Sequence, residues 1–94
     1  MSDKELKHKK RLDLSERTLE GETVILDRAS GQIHHLNSTA SFVWKRCDGA
    51  STHSIVEQLA QAFHVSPAKA EKDVIALLSE FKKVNLLEIL GQLN

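Results

Sequence analysis

Tyrosine is absent from this 94-residue chain, and cysteine, proline and tryptophan each occur once. A lone Cys47 excludes an internal disulfide and a thiolate-built structural zinc site. The aromatic residues are Phe42, Trp44, Phe63 and Phe81. The core must therefore be mostly Leu, Ile, Val and Ala, which suits packed helices. Net charge is lacking too, because 13 Lys and Arg balance 13 Asp and Glu. Strong nucleic-acid or anionic-membrane binding draws on an excess of positive charge, so both are disfavoured as partners. The longest apolar run, Val74 to Leu78, is five residues, against roughly 20 for a membrane span. Met1 to Glu5 has no apolar segment of the secretory type. These absences predict one small cytoplasmic domain, too short for two cores.

Residues 1–10 carry Lys4, Lys7, Lys9 and Lys10 against Asp3 and Glu5 and read as a solvated, disordered tail. The domain is expected over residues 11–94. The Leu12 and Leu14 alternation suggests a short strand, and Glu20-Gly21-Glu22 a turn. Thr23 to Arg28 is rich in β-branched residues, and Gln32 to Leu36 follows Ser30-Gly31, so the two runs predict a β-hairpin. From Asn37 the period changes. Asn37 can cap a helix whose stripe is Ala40, Val43, Trp44 and Cys47, closed by Asp48-Gly49. A second helix starts near Thr52, capped by Thr52 or Ser54, with Ile55, Val56, Leu59, Ala60 and Phe63 inward. Ser66-Pro67 opens a third, with the cap and the first-turn proline adjacent. Its stripe is Ala70, Val74, Leu77, Leu78, Phe81 and Val84, and Asn85 can take the left-handed position at its end. Leu86 to Leu90 reads as a short closing strand. The predicted class is α+β: a short antiparallel sheet followed by three helices, with winged-helix character.

The chemistry-bearing residues do not assemble into an active site. His34 and His35 are neighbours on a strand and point to opposite faces, so they cannot share a metal ion. His53 and His64 have no ligand partner at suitable spacing. Cys47 lies on an apolar stripe and reads as a small buried hydrophobe. Asn37-Ser38-Thr39 matches a glycosylation sequon, but the helix-cap role accounts for it. No phosphate-binding glycine loop, nucleophile elbow or carboxylate pair occurs. No enzyme, metal or cofactor is expected. The second helix, the turn His64-Val65-Ser66 and the third helix make a helix-turn-helix that invites a DNA reading, yet the third helix mixes Lys69, Lys72, Lys82 and Lys83 with Glu71, Asp73 and Glu80, and lacks the Arg, Asn and Gln that read bases. On that helix Ile75 and Ala76 lie outside the buried stripe on opposite shoulders. Ala76 stands near Lys72, Asp73 and Glu80, and Ile75 near Glu71 and Lys82.

The order Leu36-Asn37-x-x-Ala40-x-x-x-Trp44-x-x-Cys47-Asp48-Gly49 resembles the PqqD family. So do Ile55-x-x-x-Leu59-x-x-x-Phe63-x-Val65, Asp73-Val74-x-x-Leu77-Leu78 and Leu86-Leu87-Glu88. The resemblance runs from about Thr23 to Ile89. It departs where Asn85 replaces the usual glycine, and Trp44 is closer to stand-alone and lasso-type members than to the quinone-synthesis protein. The resemblance implies a three-stranded sheet and three helices that bind the leader of a ribosomally made precursor peptide. It further implies presentation of that peptide to a partner, a radical S-adenosylmethionine enzyme or a leader peptidase. The leader would add as a strand to the third strand of that sheet and lie against the third helix. Ile33, His34, His35 and Leu36 would then form the edge, and Lys69, Lys72, Asp73 and Ala76 the helix wall. This shoulder is preferred to Glu71, Ile75 and Lys82 because Asp73 falls on the family's Asp-Val position. The alternative is a winged-helix DNA-binding regulator. A basic face on the third helix would favour the regulator, and an open edge strand beside a groove would favour the peptide binder.

Overall fold

The structure, a computed structural model, describes residues 7–90. In chain order the elements are β1 (Lys7–Lys10), β2 (Leu14–Leu19), β3 (Glu22–Asp27), β4 (Gln32–Leu36), α1 (Ser38–Arg46), α2 (Thr52–Phe63), α3 (Pro67–Lys83) and β5 (Leu87–Leu90). Strands β2, β3 and β4 form an antiparallel meander in that order. A separate antiparallel pair joins β1 to β5, with Lys7 opposite Leu90 and Lys10 opposite Leu87.

That pair corrects the expectation of a tail over residues 1–10 and a domain beginning at residue 11. Lys7–Lys10 is a strand, held by main-chain pairing with the far end of the sequence, and residues 1–6 lie outside the described residues. The suspected early strand exists but is shifted: β2 begins at Leu14, and Leu12 is left exposed before it.

Local signals explain most boundaries. Glu20 and Gly21 both take positive φ, 52° and 82°, as a two-residue hairpin turn of the mirror-image type requires. On β3 the side chains alternate: Thr23, Ile25 and Asp27 point inward, while Val24 and Leu26 point outward. The Asn37 side chain accepts the Ala40 N–H at 2.8 Å and starts α1. Helix α2 is capped by Ser51, whose hydroxyl accepts the Ser54 N–H, so neither Thr52 nor Ser54 is the cap. Thr52, at the first helical position, is buried instead. Ser66 caps α3, with Pro67 next.

Helix α3 ends in a Schellman turn. Asn85 sits at φ 65°, its N–H reaches Lys82 O, and the Leu86 N–H reaches Phe81 O. Phe81 and Leu86, which the turn brings together, are both buried. The helices form one layer and the sheet the other. Ile25 and Leu36 from the sheet meet Val43, Trp44, Cys47, Ile55, Leu59, Val74 and Phe81 in a single core. Trp44 is fully buried. It packs edge-on against Phe81 at 5.3 Å between ring centres, and its indole N–H donates to Glu16 Oε1 at 2.6 Å. The Lys10 ammonium lies 4.6 Å from the indole ring centre. One side chain thus gathers β1, β2, α1 and α3.

Candidate functional site

The meander has two open edges, β2 and β4. β4 rests on α1, whereas α3 packs on α2, α1 and β5. Along β4 the side chains alternate as the pleat demands. Ile33, at 59% exposure, and His35 face outward, while Leu36 is buried and His34 half-buried. Register places Ile33 opposite Leu26 and His35 opposite Val24. The outward face therefore carries Val24, Leu26 and Ile33 side by side. The alternation of β3 held the signal for Val24 and Leu26, which the sequence reading did not single out.

The predicted helix wall lies on one shoulder of α3. Lys69 Nζ and Asp73 Oδ2 are paired at 3.2 Å. Lys72 and Ala76 are exposed and Asp73 is half-buried. Glu71 belongs to the other shoulder. It lines a groove of about 550 Å³ with Val56, Ala60, Pro67 and Ala68, between α2 and α3. Helical spacing turns Lys69, Asp73 and Ala76 away from that groove. The structure thus joins Lys69 to Asp73 and sets them, with Ala76, on the side of α3 that α2 leaves uncovered.

Two polar clusters brace this arrangement. Arg11 bonds Asp13, Asp27 and the Asn85 carbonyl. The guanidinium holds the carboxyls of Asp13 and Asp27 below the usual carboxylate range. Arg46 stacks its guanidinium on the Phe42 ring at 3.6 Å and bonds Gln58, tying α1 to α2. Cys47 is buried, and its thiol donates to the Trp44 carbonyl at 3.2 Å. Burial pushes that thiol up to about 12, far from a nucleophile's range. Among the described residues, no group of three or more His, Cys, Asp or Glu side chains could hold a metal ion. Nor is any described helix long and apolar enough to cross a membrane.

This two-layer α+β domain has an open strand edge at β4, and an open edge can accept an extended segment as an added strand. The family model for coenzyme PQQ synthesis protein D (PqqD) matches residues 22–87, and the chain belongs to that family. No curated protein sequence matches the chain. Solved structures share its fold. A lasso peptide synthetase B1 complexed with the leader peptide is 28% identical, with TM-score 0.77, covering 87% of this chain and 98% of that one. TbiB1 in complex with the TbiA(beta) leader peptide is 22% identical, with TM-score 0.79, covering 92% and 99%. The PqqD truncation of Methylobacterium extorquens PqqCD, a stand-alone recognition element for ribosomally synthesized and post-translationally modified peptides, is 23% identical. Its TM-score is 0.73, and the match covers 93% of each chain.

Proposed function

We propose that this protein is a non-catalytic recognition element that binds the leader of a ribosomally made precursor peptide and presents it to a modifying enzyme. The observation that carries the reading is the open β4 edge of the meander, in a fold whose similar structures include leader-peptide complexes. The leader adds as a strand along Ile33–Leu36. Main-chain bonds supply affinity for any extended peptide, and side-chain contacts to α3 supply selectivity. Lys69, Lys72 and Asp73 offer both signs of charge, and the small Ala76 leaves room for a ligand side chain. The enzyme that receives the peptide is a radical S-adenosylmethionine enzyme or a leader peptidase, acting in the cytoplasm.

Charge placement weighs against a DNA reader. On the exposed shoulder Lys69 is already paired with Asp73, and Glu80 lies exposed on the same helix. The test is amide shift mapping of the ¹⁵N-labelled protein with a synthetic leader of the precursor encoded beside its gene. Gln32–Leu36 and the Lys69–Ala76 shoulder should shift. Shifts confined to Glu71, Ile75 and Lys82, with β4 silent, would reject the geometry.

A further inference from the structure

The fold satisfies its buried polar side chains with some care. Asp27 is paired with Arg11, Thr23 with Thr18 at 3.1 Å, and the Ser41 hydroxyl donates to the Leu36 carbonyl at 3.1 Å. His34 is the exception. Its Nε2 is closed off from solvent, and among the described residues it is the buried side-chain nitrogen or oxygen without a hydrogen-bond partner. His34 lies on the inward face of β4, opposite Ile25, which is fully buried. It also lies on the strand with the open edge.

An orphaned buried nitrogen destabilises the free protein, and a partner arriving at the edge would relieve it. A strand added to β4 places the residue opposite His34 on the same inward face, with Cβ atoms about 4.5–5.5 Å apart. We propose that His34 is a specificity-determining residue of the leader site, selecting a leader that sets a hydroxyl or carboxamide side chain opposite it. The assignment rests on the reading of β4 as the leader's edge. A hydroxyl or carboxamide can donate to or accept from Nε2, so either imidazole tautomer is served. A charged partner would carry a larger desolvation cost into the same place. An apolar residue there would leave Nε2 unpaired, and the complex would keep the penalty of the free state. His34 also fixes register. Main-chain pairing alone tolerates a slip, but a slip of one residue turns the selected side chain to the opposite face.

The test uses a fluorescein-labelled synthetic peptide carrying the leader of the precursor encoded beside the gene. A set of variants replaces each Ser, Thr, Tyr, Asn and Gln in turn by an apolar residue. Anisotropy titrations are run against the wild-type protein and His34→Leu. One leader position should weaken wild-type binding by about tenfold, a loss that shrinks to under about twofold against His34→Leu. His34→Leu should melt no lower than wild type, since it removes an unpaired nitrogen and no bond. If that variant does not fold, His34→Phe serves instead and should likewise shrink the loss to under about twofold. Equal losses against wild type and His34→Leu at every leader position would overturn the assignment while leaving leader binding in place. So would a leader with no sensitive position. Failure of the wild-type protein to bind the leader at all would overturn the proposed function, and this assignment with it.

Discussion

Arg11 and Asp27 form a two-bond pair: Nη1 donates to Oδ2 at 3.0 Å and Nη2 to Oδ1 at 3.2 Å. The same carboxylate accepts the N–H groups of Ala29 and Ser30, shaping the loop into β4. The same guanidinium donates to the Asn85 carbonyl just beyond α3. The pair therefore fixes the entrance of β4 relative to the end of α3, the two elements that frame the candidate site.

Stability should fall on acidification through this cluster. Hydrogen bonding to Arg11 lowers the carboxyls of Asp13 and Asp27 from an ordinary value of 3.8. Groups lowered by folding stabilise fully above the unfolded-state value, and the gain is lost as pH falls through the folded-state value. Thermal melts between pH 6 and pH 2 should show the wild type losing stability below about pH 4. Asp27→Asn should start lower and show a shallower acid slope.

Cys47 should be silent in the folded protein. Burial raises its thiol to about 12, so at pH 8 it is protonated as well as enclosed. A thiol-reactive dye should label the native protein slowly and the denaturant-unfolded protein at once. Cys47→Ala should lower stability by about 1 kcal/mol through lost packing and leave peptide binding unchanged. Fast native labelling would contradict the buried placement.

Trp44 should carry more of the stability than any neighbour on α1. It is fully buried, edge-on to Phe81 and bonded to Glu16. Trp44→Ala should cost about 3–5 kcal/mol, a large share of a small domain's total. Glu16→Ala should cost about 1–3 kcal/mol by leaving the indole N–H unpaired. Urea titrations followed by circular dichroism measure both.

Ala76→Trp should keep the fold, because Ala76 is exposed, yet crowd the proposed leader site. Leader binding should weaken by roughly tenfold or more, about 1.4 kcal/mol. Ile75→Ala, on the other shoulder, should bind the leader as wild type does. Isothermal titration calorimetry with the same synthetic leader separates the two.

What the sequence revealed and hid follows the range of each interaction. The Asn37 cap, the Ser66-Pro67 start and the left-handed Asn85 are decided within a few residues, and each appears where expected. The β3–β4 hairpin is local in the same sense. The Ser51 cap was obscured because Ser51, Thr52 and Ser54 all carry hydroxyls, and which one points along the helix axis depends on how Thr52 is buried. β1 was invisible because its partner is β5, at the other end of the chain, and a Lys-rich segment carries no apolar period. Glu16 was hidden as the partner of Trp44, 28 residues away. The strand over Ile33–Leu36 was legible because an apolar-containing run follows the Ser30-Gly31 turn, and its place at the edge came from the family resemblance. The orphaned nitrogen of His34 was not, since burial of a single atom depends on packing around it.

The β1–β5 pairing sets how the domain would respond to force. Lys7 faces Leu90 across an antiparallel ladder, so a pull applied through those two positions loads the ladder at one end. Its bonds open in succession and never share the load. The clasp should therefore unzip at low tension, whereas the β2–β4 meander and the helix layer lie off the line of force until it has opened. Tugging on the flanks would strip β1 and β5 before it disturbed the β4 edge.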